Sequence, residues 1–300
     1  MIPYLHLGPF TLPTFGLMVA TGLLVAAYVL QADFNRRREQ LERYRPSKSD
    51  IHEGLLARLV SQSNKDEGFL IIGIAGLAGI VGARLYHVLE TPRELIANPS
   101  VLISRFGFAW FGGFLGGFVM LAILARRFRI PLLEFLDLCS PAAGVGYAIG
   151  RIGCLLSGDG DYGVPTTLPW GMSFPNGLVP TTGTWDPESH SGVCLKYGLP
   201  ENCTVHPTPI YEFLIWLAIA AILWRLGKRA LNGAGYKGEV FCGYLILTGI
   251  ARFLIEFIRI NPRSFFGLSN AQAASLVSIL IGVILLWRIR SGAVSKPASV

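Results

Sequence analysis

Seven long apolar stretches dominate this 300-residue sequence and restrict the folds that it can adopt. They lie at residues 11–30, 69–89, 106–125, 132–152, 208–225, 240–259 and 264–287. A transmembrane helix needs about 20 predominantly apolar residues to cross the hydrocarbon core of a bilayer. We therefore predict an all-α integral membrane protein with seven transmembrane helices, organised as a single membrane domain over residues 1–300.

The composition excludes soluble and disordered proteins. Hydrophobic residues make up 52% of the chain and charged residues only 15%, whereas soluble domains carry about a quarter charged residues. Disordered chains have few apolar residues and many charges, which is the opposite pattern. The net charge of +7 is spread over short basic clusters between the apolar runs, which is typical of membrane orientation signals. We expect no nucleic-acid partner.

The distribution of lysine and arginine predicts the orientation of the spans. Eighteen of the 26 basic residues fall in segments 35–66, 126–129 and 225–238 and in the tail after residue 287. A seven-span arrangement places all of these segments on one side, which the positive-inside rule makes cytoplasmic. The N-terminus is then outside, the C-terminus is cytoplasmic, and 35–66 is a cytoplasmic basic loop.

The segment 157–206 is predicted to lie outside the cytoplasm. It is rich in Gly, Pro and Thr and shows no helical period, so we expect an irregular external head or lid. Cys194 and Cys203 both fall in this segment, and a disulfide or two free thiols are equally compatible with the sequence. The spacing of cysteine and histidine residues indicates no metal site, and we expect no cofactor.

Three arginines inside predicted spans are the first candidates for function, because charges in a membrane are costly. At the helical rise, Arg84, Arg151 and Arg252 lie roughly 23, 28 and 18 Å from the cytoplasmic edge, so they reach a similar depth. Arg252 and Glu256 are spaced i,i+4 and can pair, which leaves Arg84 and Arg151 without a predicted counter-ion. Guanidinium groups suit phosphate, so we predict a pocket for an anionic phospholipid headgroup. The alternative is that each arginine reaches the membrane interface alone.

Two further segments carry candidate polar groups. Residues 150–163 read GRIGCLLSGDGDYG, where Asp159 and Asp161 could orient arginines, accept protons or simply stabilise a turn. For Asp161 taken alone, the turn interpretation is preferred. Residues 205–212 read VHPTPIYE, where His206 suits proton transfer but is also typical of a structural histidine.

These blocks together resemble bacterial prolipoprotein diacylglyceryl transferases. The resemblance rests on GRIGCLLSGDGDYG, LPWGMSFP, VHPTPIYE and ARFLIEFIR, and it extends from about residue 13 to the seventh span. It implies a multi-pass enzyme of the bacterial cytoplasmic (inner) membrane with seven spans. Such an enzyme moves the diacylglyceryl group of phosphatidylglycerol to the lipobox cysteine of a preprolipoprotein, and glycerol phosphate is released.

The resemblance also implies roles for individual residues. The implied catalytic residues are Arg151 and Arg252, with His206 or Asp159 as the base. The implied substrate-binding residues are Arg84, Gly153, Ser157, Tyr211, Glu212, Glu256 and Arg259.

This sequence departs from the family pattern at several of these positions. Phe111 replaces a histidine considered important in the family, and Cys154 and Ser157 replace asparagines. Asp159 stands where the family typically carries Glu. These departures leave open a second hypothesis, a phospholipid-binding membrane protein on the same scaffold that is non-catalytic or uses another acceptor.

Overall fold

The structure is a computed structural model that describes residues 1–44, 66–90, 110–201, 203–231, 235–264 and 266–292. Over these residues the chain forms an N-terminal β-hairpin of β1 (Tyr4–Leu7) and β2 (Phe10–Pro13), followed by seven long helices. The helices are α1 (Thr14–Tyr44), α2 (Glu67–Glu90), α3 (Trp110–Arg127), α4 (Leu132–Ser157), α5 (Thr208–Leu231), α6 (Glu239–Ile255) and α7 (Asn270–Arg290). A 3₁₀ turn at Glu256–Ile258 continues α6, and a single helical turn forms at Val193–Lys196.

The long helices confirm the prediction of a helical integral membrane protein. Among the described residues, six helices are long and apolar enough to cross a membrane. These candidate spans are Thr14–Glu39, Glu67–Glu90, Leu132–Ser157, Thr208–Arg229, Glu239–Ile258 and Asn270–Arg290. Helix α3 covers the remaining predicted stretch, 106–125, from Trp110 onward, and the residues just before it lie outside the described part of the chain.

Helix α1 continues well beyond the apolar run 11–30 that predicted it. Asp33 pairs with Arg36 and also with Arg37, whose Nε lies 3.0 Å from the carboxylate. Such i,i+3 and i,i+4 ion pairs favour helix, and α1 therefore continues to Tyr44 through the start of the predicted basic loop. The rest of that loop, residues 45–65, lies outside the described residues.

Helix α7 begins later than the apolar run 264–287 predicts. The backbone N–H of Gln272 donates to Ser269 Oγ at 3.2 Å, and the N–H of Ser269 donates to Gln272 Oε1 at 3.0 Å. This capping box fixes the helix start at Asn270. The left-handed backbone at Gly267, with φ of 83°, interrupts a helical conformation, so Phe266 and Leu268 lie before the helix.

The contacts divide the chain into two compact units. The first comprises Met1–Val25 and Ser140–Val300, and the second comprises Ala26–Cys139. Within the second unit, α2 and α3 pack against each other through glycines. A Cβ added at Gly82 would lie 3.0 Å from the Cα of Gly116 and closer still to the carbonyl oxygen of Gly112. The two backbones therefore touch, as small residues allow in membrane helices.

Within the first unit, the described residues between α4 and α5 are mostly irregular but have an apolar core of their own. Tyr162 and Phe174 stack there with ring centroids 5.1 Å apart. A disulfide joins Cys194 to Cys203, which settles the pairing that the sequence left open. The buried core consists of Tyr162, Phe174, Val193, Cys194, Val205 and Ile260.

The helix contact predicts a difference between two glycines of α2. We expect Gly82→Ala to lower the thermal unfolding temperature of the detergent-solubilised protein, because overpacking a tight contact costs about 1–3 kcal/mol. Gly73→Ala is the matched control, since a Cβ at Gly73 meets nothing within 4 Å. Equal unfolding temperatures for the two variants would contradict the close α2–α3 contact.

Candidate active site

Backbone hydrogen bonds hold together three segments that are distant in sequence: the turn after α4, the residues just before α5 and the end of α6. The N–H of Gly163 donates to the carbonyl of His206 at 2.8 Å, and the N–H of Val164 donates to the carbonyl of Ile258 at 2.8 Å. Gly163 is required here, because an added Cβ would lie 3.0 Å from the Cβ of His206 and 3.1 Å from Thr208 Cγ2. The turn after α4 is thus held against the start of α5 and the end of α6.

This arrangement assembles a cluster of charged side chains, which we call the ion cluster. It consists of Arg151, Asp161, Glu212, Arg252, Glu256 and Arg259. All six residues belong to the first unit, and five of them were predicted as site residues from the sequence. The exception is Asp161.

Glu212 occupies the centre of the ion cluster. Its Oε2 pairs with Arg151, and its Oε1 accepts a hydrogen bond from Nη1 of Arg252 at 2.9 Å. Nη1 of Arg259 lies 3.8 Å from Oε2. The Glu212 side chain is only 2% exposed, so one buried carboxylate of α5 is shared by an arginine of α4 and two arginines of α6 and its continuation.

The predicted pairing of Arg252 with Glu256 is confirmed. Nη2 of Arg252 lies 3.0 Å from Glu256 Oε2, one helical turn further along the chain. The other carboxylate oxygen accepts a hydrogen bond from Nδ2 of Asn261 at 2.6 Å. Glu256 is therefore held from two sides and in turn positions Arg252.

The role of Asp161 differs from the turn interpretation that the sequence favoured. Its carboxylate pairs with both Arg151 and Arg259, and its backbone carbonyl accepts from Thr208 Oγ1 and, at 3.2 Å, from Arg259 Nη1. Burial alone would raise the pKa of Asp161, but the charges of Arg259 and Arg151 hold it below the usual range for a carboxylate. The preferred interpretation as an ordinary turn residue is therefore wrong. The signal that could have found it was the need of Arg151 for a counter-ion.

The prediction that Arg151 lacks a counter-ion is wrong for the same reason. Arg151 is paired with Asp161 and Glu212, and across the whole ion cluster three guanidinium groups meet three carboxylates. Burying an unpaired charge is far more costly than burying a paired one. The ion cluster is therefore close to neutral as it stands.

A thiol and a second carboxylate lie beside the ion cluster. Nη1 of Arg151 donates to Cys154 Sγ at 3.2 Å, and Asp159 Oδ1 accepts from the N–H of Asp161 at 3.3 Å. Burial, followed by the negative charge of Asp161, raises the pKa of Asp159 above that of an ordinary carboxyl group. A carboxylate with a raised pKa is suited to accept a proton near neutral pH.

The same trio could in principle ligate a metal ion. Ligand atoms of Cys154, Asp159 and Asp161 lie within 4.8 Å of one another. Asp161 is already neutralised by Arg151 and Arg259, so the trio offers a cation less negative charge than its two carboxylates imply. We therefore assign these residues to the ion cluster and its surroundings rather than to a metal site.

His206 and Tyr211 form a separate polar chain at the start of α5. Nδ1 of His206 lies 3.3 Å from the hydroxyl of Tyr211, which accepts a hydrogen bond from Nε1 of Trp170 at 2.7 Å. Tyr211 precedes Glu212, so this chain adjoins the ion cluster along the backbone of α5. These two residues of the VHPTPIYE block are thus partners in the structure.

The remaining predicted residues have other surroundings. The Ser157 hydroxyl donates to the carbonyl of Gly153 at 2.8 Å, and its described hydrogen bonds stay within α4. A Cβ at Gly153 would lie 3.1 Å from Met18 Cβ, so this glycine allows α1 to pack closely against α4. Arg84 is buried in the second unit, and its convergence with the other arginines stays a prediction.

Comparisons with known proteins point to one family. A family model for prolipoprotein diacylglyceryl transferase matches residues 3–288. Three similar proteins are each named as a phosphatidylglycerol–prolipoprotein diacylglyceryl transferase. The protein of Clostridium tetani is 29% identical over 90% of this chain and 90% of its own length. That of Cupriavidus metallidurans is 30% identical over 96% and 93%, and that of Leifsonia xyli is 27% identical over 95% and 76%.

The ion cluster predicts a large effect for its central carboxylate. We expect Glu212→Gln to destabilise the protein by about 3–5 kcal/mol, because removing one partner leaves buried arginines undercompensated. Thermal unfolding in detergent measures this change. Glu188→Gln, at an exposed position of the irregular segment between α4 and α5, is the control for loss of a carboxylate. If both variants unfolded at the wild-type temperature, Glu212 would not be the centre of the cluster.

Proposed function

This chain belongs to the prolipoprotein diacylglyceryl transferase family, and we propose that it transfers the diacylglyceryl group of phosphatidylglycerol to the cysteine thiol of a prolipoprotein. In this reaction the sulfur forms a bond to the terminal carbon of the diacylglyceryl group. The bond from that carbon to the phosphate oxygen breaks, and glycerol phosphate leaves with the electron pair. The thiol proton passes to a base.

The observation that carries this proposal is the ion cluster. Phosphatidylglycerol is a phosphodiester with one negative charge, and the departing glycerol phosphate is a monoester that gains a further charge. Arginine forks in a buried site stabilise such developing charge, because they are already oriented before the reaction. Arg151 and Arg252 are the catalytic arginines in this proposal, and Arg259 binds the phosphate with them. Glu212 and Glu256 hold the guanidinium groups in place.

The proposed topology places this chemistry at the outer surface of the bacterial cytoplasmic membrane. Seven spans, with the N-terminus outside and the C-terminus in the cytoplasm, follow from the basic segments and from the position of α3 over the predicted third span. In this orientation the end of α4, the start of α5 and the end of α6 all lie on the external side. The segment 157–206 is then an external head next to the ion cluster, where a lipobox segment can reach it.

We assign the role of base to Asp159. A thiolate is the reactive form of cysteine, so a nearby group must take the proton. Phe111 stands where the family typically has histidine, whereas Asp159 lies beside Asp161 and has a raised pKa. His206, bonded to Tyr211, is the second candidate. The hypothesis of a non-catalytic lipid-binding protein is not favoured, because the relatives over most of the chain carry a transferase name.

The proposal predicts diacylglyceryl transfer by the purified protein. In proteoliposomes containing phosphatidylglycerol, wild type is expected to add a diacylglyceryl mass to a lipobox peptide, as measured by mass spectrometry. Arg151→Ala should lower the rate by about 10²–10³-fold, as loss of a preorganised donor does. Arg151→Lys keeps the positive charge but lacks the forked guanidinium group, so its transfer rate should also be lower than that of wild type. Arg288→Ala, at the far end of α7, is the control. No product from wild type, where the Clostridium tetani relative is active, would refute transfer.

The pKa of Asp159 predicts the pH dependence of the reaction. A base acts in its deprotonated form, so kcat/KM should fall as the pH decreases through the raised pKa of Asp159. Asp159→Asn should abolish this fall of kcat/KM at low pH and lower the rate by about 10²–10⁴-fold. Asp159→Glu should keep the fall of kcat/KM at low pH, which we call the acid limb. If the limb persisted in Asp159→Asn and disappeared in His206→Gln, the base would be His206 instead.

A further inference from the structure

The three carboxylates of the ion cluster differ sharply in access to solvent. The side chain of Asp161 is 29% exposed, whereas those of Glu212 and Glu256 are 2% and 1% exposed. Glu212 lies within α5, and Glu256 lies in the 3₁₀ turn that continues α6. Asp161 lies in an irregular turn in which Gly158 and Gly160 have positive φ angles of 60° and 88°. Of these three anions, Asp161 is the one that an incoming ligand can reach.

The carboxylate of Asp161 also occupies the place that suits a phosphate. One of its oxygens pairs with Nη1 of Arg151 and the other with Nη2 of Arg259. A phosphodiester likewise presents two charged oxygens, and arginine forks bind carboxylates and phosphates with similar geometry. A phosphate between these two guanidinium groups would therefore compete directly with the side chain of Asp161.

We propose that Asp161 is a resident counter-ion that the phosphodiester of the lipid substrate displaces from Arg151 and Arg259. This inference rests on the proposed function, since it takes phosphatidylglycerol as the ligand of the ion cluster. The exchange replaces one negative charge by another, so the buried arginines stay neutralised throughout. After transfer, return of the Asp161 carboxylate competes with glycerol phosphate for the same arginines and promotes release of the product.

The exchange favours lipids with a single negative charge over zwitterionic lipids. A zwitterionic headgroup brings an ammonium group along with its phosphate, and that positive charge is placed beside arginines that have just lost a carboxylate. Phosphatidylglycerol carries no such penalty, because the glycerol attached to its phosphate is uncharged.

The turn can keep its position while the side chain moves away. The backbone carbonyl of Asp161, not its carboxylate, accepts the hydrogen bonds from Thr208 Oγ1 and, at 3.2 Å, from Arg259 Nη1. The N–H of neighbouring Gly163 is bonded to the carbonyl of His206 at 2.8 Å. These contacts hold the backbone without the carboxylate, so displacement needs a rotation of one side chain rather than an opening of the fold.

The test compares anion binding by wild type, Asp161→Asn and Asp161→Ala, using the full chain in detergent and glycerol phosphate as the probe in calorimetry. Removing the resident carboxylate is expected to tighten glycerol phosphate binding by roughly tenfold, since a charged competitor is lost. In the transfer assay, the KM for phosphatidylglycerol should fall. Glu188→Gln, at an exposed position of the same irregular segment, is the control for a change in net charge and should match wild type.

Two results would overturn the proposal. Unchanged or weaker glycerol phosphate binding by folded Asp161 variants would show that the carboxylate does not compete for the phosphate position. Failure of both variants to fold even with saturating glycerol phosphate would do so as well, because the anion would then fail to replace the carboxylate that it is proposed to displace. The binding measurement is independent of turnover. Tighter binding without transfer by wild type would uphold the displaceable counter-ion and refute the transferase.

Discussion

The structure of the first unit depends on the neutralisation of buried arginines. Guanidinium groups are never neutral in proteins, so each arginine that the fold withdraws from water requires an anion close by. Arg151 comes from α4, Arg252 and Arg259 come from α6 and its continuation, and Glu212 of α5 is the carboxylate that contacts all of them. This requirement ties α4, α5 and the end of α6 to one point, in a chain with only 19 acidic residues.

Neutrality also determines how such a site can bind an anionic lipid. A cluster with excess positive charge would bind any anion, including inorganic phosphate, and would be costly to bury. The ion cluster has equal numbers of arginines and carboxylates, so a phosphate can bind to its arginines only by displacing a carboxylate. Lipid binding must therefore preserve the charge balance of the ion cluster. Asp161 is more exposed than Glu212 and Glu256, which only hold arginines in place.

The sequence predicts those parts of this structure that depend on local periodicity. Apolar runs of sufficient length locate the helices, and the i,i+4 spacing of Arg252 and Glu256 identifies an ion pair without knowledge of the fold. The pairing of Arg151 with Asp161 crosses an irregular turn, and that of Arg151 with Glu212 crosses 60 residues, so no periodicity encodes either. The start of α7 was missed because apolar residues before Ser269 satisfy the hydropathy pattern, whereas the capping box sets the boundary.

The residue beside Arg151 explains why carboxylates hold this arginine. The resemblance to the family places an asparagine at position 154, and an amide oxygen is a good neutral acceptor for a guanidinium N–H. This chain has Cys154 instead, and sulfur accepts hydrogen bonds only weakly, although Arg151 Nη1 lies 3.2 Å from it. The same Nη1 pairs with Asp161, so the weaker acceptor is accompanied by a stronger, charged one. A charged partner that comes from a turn can be exchanged for substrate more readily than an acceptor fixed within a helix. Cys154 and Asp161 therefore both contribute to the arrangement that holds Arg151.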